Sequence, residues 1–205
     1  VEYTAVATLN QKGSIIAASV AQFKAAEVGD NQYRLTGVVT KLDAKGNPYI
    51  RDYSDMEPVL VYRAEGFTGK VGDIITVVGK RGEYKGVAQV VNGVVEDIKV
   101  VTEVSIADFL AKEDNSNVYY MVTGTVYEIK NAVYGNMNIK GADGSTLYLY
   151  GTHPGWGATG DAAKNFLATI GLAVGDKITV IGAKTSYNGA TQMKNAIYFS
   201  HTKAQ

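Results

Sequence analysis

Four blocks of this sequence occur twice, in the same order. Tyr33-Arg34-Leu35-Thr36-Gly37-Val38-Val39 parallels Tyr120-Met121-Val122-Thr123-Gly124-Thr125-Val126, and the Val-Gly-Asp stretch from Val71 to Gly79 parallels Val174 to Gly182. At the second offset Tyr84-Lys85-Gly86-Val87-Ala88-Gln89 meets Tyr187-Asn188-Gly189-Ala190-Thr191-Gln192. Upstream, Ser19-Val20-Ala21-Gln22-Phe23 meets Ser105-Ile106-Ala107-Asp108-Phe109. A duplication restricts the fold to a unit that half the chain can build and then repeat. Residues 14–101 and 102–205 are expected to form two similar domains, with residues 1–13 matching neither and reading as a leader or linker.

Within each repeat the hydrophobic period is mostly two, as for strands with one face on a core. Ile75 and Val77 alternate with their neighbours, as do Ile178 and Val180, and the same holds for Tyr33/Leu35 and Tyr120/Val122. Gly37 and Gly124 interrupt the first long strand, where a glycine usually marks a bend, a bulge or a close backbone approach. Gly46-Asn47, Asp143-Gly144 and Asn188-Gly189 read as hairpin turns, because these residues tolerate positive φ. Helices are few. Ser19-x-x-Gln22 matches a capping box and Ser105-x-x-Asp108 approximates one. The second repeat carries an insertion from about His153 to Ala173, where Asp161 is placed to cap a helix burying Phe166, Leu167 and Ile170. The fold class expected is therefore mainly β: two tandem five-stranded OB-fold-like Greek-key barrels with a few short helices, the second with a longer connector between its third and fourth strands.

Composition narrows the chemistry. The 205 residues hold no Cys, one Trp and two His, so thiolate metal sites, cysteine nucleophiles and disulfides are excluded. Residues 1–101 carry 12 basic and 12 acidic side chains and residues 102–205 carry 8 of each, without the surplus that announces tight phosphate-backbone binding. No apolar stretch approaches the ~20 residues of a membrane helix. Asp52, Asp55 and Glu57 lie close together but lack the ligand spacing of a calcium loop, so no metal is expected. Neither a nucleophile elbow nor a Walker loop is present. No cofactor is expected, and the chain reads as a non-enzyme.

The stretch from Ser105 to Phe199 resembles the OB-fold modules of Bacteroidetes cell-envelope proteins, a group of lipoprotein and nucleic-acid-binding types. The residues that carry the resemblance are Ser105 to Phe109, Tyr120 to Val126, Val133-Tyr134-Gly135-Asn136, Leu147 to Gly151, Gly171 to Val180, and Tyr187-Asn188-Gly189. It covers nearly all of the second repeat and, more loosely, the first, which departs at the short connector from Arg63 to Lys70. It implies a location outside the cytoplasm or at the cell envelope. The chain opens on Val1 rather than Met, as expected of a processed or trimmed chain, and the resemblance extends this to a lipid anchor carried by a removed N-terminal segment.

OB folds bind oligonucleotides and oligosaccharides through their second and third strands and the flanking loops. With Ile50, Val59 and Val61 inward, Tyr49, Arg51 and Tyr62 are expected on the outer face of the first barrel. With Ile139, Leu147 and Leu149 inward, Lys140, Tyr148 and Tyr150 are expected outward in the second. Arg81 and Tyr84 fall in the basic hairpin between strands four and five, and Trp156 in the Gly-rich loop of the insertion. These nine residues are the candidate ligand contacts; aromatics stack bases or sugar rings while cations meet phosphates. Each also has a plainer explanation, since Tyr favours half-exposed strands and a Trp in such a loop often covers a barrel mouth. The expected partner is single-stranded nucleic acid or an oligosaccharide, with an envelope interaction module or an architectural spacer as further alternatives.

Overall fold

The protein, seen here in a computed structural model, is described over residues 14–205; the expected leader or linker lies outside them. In the first repeat β2 (Gln32–Leu42), β3 (Pro48–Arg51), β4 (Val59–Tyr62), β5 (Ile74–Tyr84) and β6 (Val87–Lys99) pair in the order β2-β3-β4-β6-β5, and β5 returns to β2 to close the ring. In the second repeat β8 (Tyr119–Asn131), β9 (Asn136–Lys140), β10 (Thr146–His153), β11 (Lys177–Tyr187) and β12 (Ala190–Thr202) repeat that order and closure. Each barrel has one extra strand lying parallel to its first: β1 (Ile16–Ala17) beside β2, and β7 (Val101–Glu103) beside β8. The architecture is the expected one, mainly β with two closed five-stranded barrels of OB-like layout. Among the described residues there are four short helices, and none is long and apolar enough to cross a membrane.

The period-two pattern fills each barrel. Leu35, Val39, Ile50, Val59, Val61, Ile75, Val77 and Val90 form the first core with Val20 and Phe23 of α1 (Val20–Ala25). Val122, Val126, Met137, Ile139, Leu147, Leu149, Ile178, Val180 and Met193 form the second with Ile106 and Phe109 of α2 (Ile106–Leu110). Burying each large side chain stabilises its barrel by roughly 1.5–3 kcal/mol. Ser19 caps α1 in a full capping box, its hydroxyl accepting from the Gln22 N–H while the Gln22 side chain accepts from the Ser19 N–H. At Ser105 only the first half forms, and its hydroxyl donates to the Asp108 carboxylate instead. Asn188 and Gly189 both have positive φ, which turns the β11–β12 hairpin tightly; Lys85 and Gly86 do the same between β5 and β6.

The insertion differs from expectation. It forms two single turns, α3 (Gly160–Ala163) and α4 (Phe166–Thr169), rather than one helix. Asn165 stands between them at φ 60°, which ends the helical path. Asp161 is not a cap; it pairs with Lys164 at 2.8 Å. Phe166 and Leu167 are nevertheless buried.

The Val-Gly-Asp repeat is a latch as well as a turn. Asp73 accepts from the backbone N–H groups of Lys70 and Val101 and from the Lys70 ammonium. Asp176 accepts from the N–H groups of Ala173 and Ala204 and from the Lys203 ammonium. The Ala204 and Ala173 N–H groups, then Lys203, hold its carboxyl down at about 2. Each aspartate ties the second residue beyond its barrel's last strand back to the turn before the fourth.

The barrels meet through Val38, Ile74, Val101, Ile181 and Ile197, with Tyr119, Met121, Trp156 and Phe199 packed around them. Gly155 presses its backbone on that of Asp52, and the Tyr53 N–H donates to the Trp156 carbonyl at 3.1 Å.

Candidate functional site

The nine candidate residues do not share one fate. Arg51 is buried and does not sit on an open face of the first barrel. Its guanidinium reaches the end of β12 and donates to the carbonyls of Tyr198 and Phe199 at 2.9 and 3.0 Å. The outer face of β3 at this point is covered by the second barrel, a packing that alternation within one strand does not encode. Arg81 is also buried, donating to the Gly82 carbonyl at 2.5 Å and to the Lys24 carbonyl in the last turn of α1 at 3.4 Å. In the second repeat Lys184 holds the matching place, its ammonium on the Lys112 carbonyl just beyond α2. A cation at a helix C-terminus complements the unpaired carbonyls and the dipole, so this basic position belongs to the barrel's construction. Asp52 likewise serves α1, accepting from the Val20 N–H at 2.9 Å.

In the first barrel Tyr49 and Tyr84 line a groove of about 300 Å³ with Leu60 and Gln89. Lys41 lies 4.4 Å over the Tyr49 ring and Lys85 5.3 Å over Tyr84. Tyr62 is half-buried beneath the Arg63 guanidinium, 5.2 Å away. Lys140 is exposed at the end of β9 and lines none of the grooves described here.

The second barrel assembles a denser group. Tyr148 and Tyr150 project outward from β10, their ring centroids 6.4 Å apart and inclined at 56°. Tyr187, at the tip of the β11–β12 hairpin, closes one side. Gln192 and Lys194 of β12 complete a shelf of about 450 Å³. Their presence follows from the parallel pairing of β10 with β12, which sets Tyr148 beside Gln192 and Tyr150 beside Lys194. Sequence reasoning missed Gln192 and Lys194, and placed Tyr187 in the hairpin without adding it to the shelf. A signal was present: Tyr84/Tyr187 and Gln89/Gln192 recur at one offset, and both pairs line the equivalent groove of their barrel.

Trp156 covers no barrel mouth. It stands at the junction between the barrels, its ring 5.9 Å from that of Tyr119, and lines a second pocket of about 450 Å³ with His153, Thr185, Lys194 and Asn195. Burial lowers the His153 pKa from its ordinary value, a backbone contact with Ala158 offsetting part of the effect. Burial raises that of Tyr119. Both effects favour neutral rings at neutral pH.

Chemically, the shelf and the junction pocket offer aromatic faces, amides and hydroxyls with one lysine between them. No carboxylate lines either, so the paired acids of a glycosidase are not assembled there. Among the described residues no group of three or more His, Asp or Glu is placed to hold a metal ion. Compared with known proteins, the chain matches no protein-family model and no curated protein sequence.

Proposed function

We propose that this chain is a non-catalytic binding protein whose second barrel stacks a neutral oligosaccharide on the shelf of Tyr148, Tyr150 and Tyr187. One observation carries the reading: the site is three tyrosines with one amide and a single cation, while Arg51 and Arg81 are committed to backbone carbonyls inside the structure. Sugar rings present apolar C–H faces to aromatic side chains and hydroxyls to amides and ammonium groups, and Gln192 and Lys194 stand where such hydroxyls would lie. An extracytoplasmic place, drawn from the resemblance, suits a ligand of this class and is part of the proposal.

A second reading is single-stranded nucleic acid, favoured by the same tyrosines, since each stacked base contributes about 1–3 kcal/mol. With Lys194 as the shelf's only charge, few counterions would be released and the attraction to a phosphate backbone would be weak.

Affinity electrophoresis through soluble polysaccharides (β-glucan, xylan, glucomannan, starch and polygalacturonate), run beside anisotropy of a labelled oligothymidylate at two salt concentrations, separates the two. The expected result is retardation by at least one neutral polysaccharide, weakened on the order of tenfold or more in Tyr148→Ala/Tyr150→Ala, with flat anisotropy. Steeply salt-dependent oligonucleotide binding without retardation by any polysaccharide would sink the carbohydrate reading and install the other.

A further inference from the structure

The shelf does not end at Tyr150. A hollow of about 200 Å³ adjoins it and shares Tyr150 with it; the same hollow shares His153 and Asn195 with the junction pocket. Lys194 lines both the shelf and the junction pocket. The three depressions therefore run into one another across β10 and β12. From Gln192 to Ile197 along β12 is about 17 Å at the usual strand rise, more than a disaccharide spans.

A local irregularity keeps the passage open. Gly151 of β10 and Asn195 of β12 both have positive φ, 87° and 53°, and face each other where the ladder steps from Tyr150–Lys194 to Thr152–Ala196. A Cβ on Gly151 would stand 3.3 Å from the Asn195 side-chain oxygen and 3.7 Å from His153 Nε2, so the missing side chain is the floor of the hollow. The first barrel has the same irregularity with a different residue in it. There Arg63 and Asn92 have φ 54° and 52°, and the Arg63 side chain folds over Tyr62. One repeat places a bare backbone at this point and the other a long cation.

We propose that shelf, hollow and junction pocket form one cleft for a linear neutral oligosaccharide longer than a disaccharide, with the chain laid across β10 and β12 and one end against Trp156 and His153. This rests on the carbohydrate reading above and adds to it the length of the ligand and its direction. Trp156, the only tryptophan, reports on the far end of the cleft alone.

The test is calorimetric titration of the intact chain with cello-, xylo-, manno- and laminari-oligosaccharides of two to six rings, with tryptophan emission recorded in parallel. In at least one series affinity should rise about tenfold between two and five rings, and Trp156 emission should shift only with the longer members. Gly151→Arg, which puts at this point the residue type the first barrel carries there, should lose both the length gain and the emission shift. A series that binds with the same affinity at every length and leaves Trp156 emission unaltered overturns the cleft and leaves the shelf standing. An emission shift already complete with two rings also overturns it, because the junction pocket would then act alone. If none of the four series binds, nor malto-oligosaccharides of the same lengths, the carbohydrate reading and the cleft fall together.

Discussion

At the scale of single residues, the two arginines that a charge-based reading puts in contact with ligand are occupied in holding the chain together. Arg51 carries its charge into a buried position and there supplies hydrogen atoms to two carbonyls at the end of β12. Burial pulls its pKa down from the ordinary arginine value, with the nearby Tyr198 and Glu57 opposing, and an arginine still remains charged. Arg51→Met preserves the packing of the stem but removes both of these hydrogen bonds. We expect it to destabilise the protein by about 2–3 kcal/mol in urea unfolding and to leave polysaccharide retardation intact. A loss of retardation at unchanged stability would return Arg51 to the binding surface. Half-buried Tyr148 and exposed Tyr150, by contrast, are the residues whose removal should affect binding and spare folding.

At the scale of elements, the two repeats use the same glycine for different neighbours. A Cβ at Gly37 would lie 2.7 Å from the Arg51 carbonyl oxygen, against backbone that cannot move without parting β2 from β3. A Cβ at Gly124 would lie 2.9 Å from Ile106 Cδ1, the end of a flexible side chain. Gly37→Ala is therefore expected to cost about 2–3 kcal/mol and Gly124→Ala about 1 kcal/mol, compared by thermal unfolding; equal losses would mean that the first contact relaxes as easily as the second. Both glycines were legible as interruptions of a strand, and the period-two pattern placed Ile50, Val59, Val61, Ile139, Leu147 and Leu149 inward, where they are found. The nature of each interruption was not legible, because it depends on what another element brings within 3 Å. The insertion went astray for a local reason: Phe166, Leu167 and Ile170 have helical spacing, but Asn165 adopts a left-handed angle that no hydrophobic pattern reveals.

At the scale of the whole molecule, four positions that pack at the junction in one barrel have polar counterparts in the other. Val38 and Ile74 of the first barrel enter the junction; their counterparts in the second, Thr125 and Lys177, are exposed. Met121 and Phe199 of the second barrel pack at the junction; their counterparts in the first, Arg34 and Glu96, form an ion pair at 2.7 Å. The duplicated unit has thus diverged to make one apolar contact rather than a continuing stack. Gly155 is a tight point of that contact, since a Cβ there would run into the Asp52 backbone. We expect the intact protein to melt in one calorimetric transition and Gly155→Ala to split it in two, with a loss of about 1–3 kcal/mol from the junction. A variant that melts like the wild type would mean the barrels are held by other contacts.

The sequence by itself determined that there are two units, that each is a small β-barrel, and which side chains fill it, because repeats, alternation and turn residues are local properties of the chain. It also identified Tyr148, Tyr150 and Trp156 as worth attention. Only the tertiary structure decided that Gln192 and Lys194 join the tyrosines, because the parallel pairing of β10 with β12 spans some forty residues and has no local signature. The same is true of the arginines: whether a cation meets solvent, a ligand or a carbonyl is set by what packs over it, and here that neighbour is another barrel or a helix end.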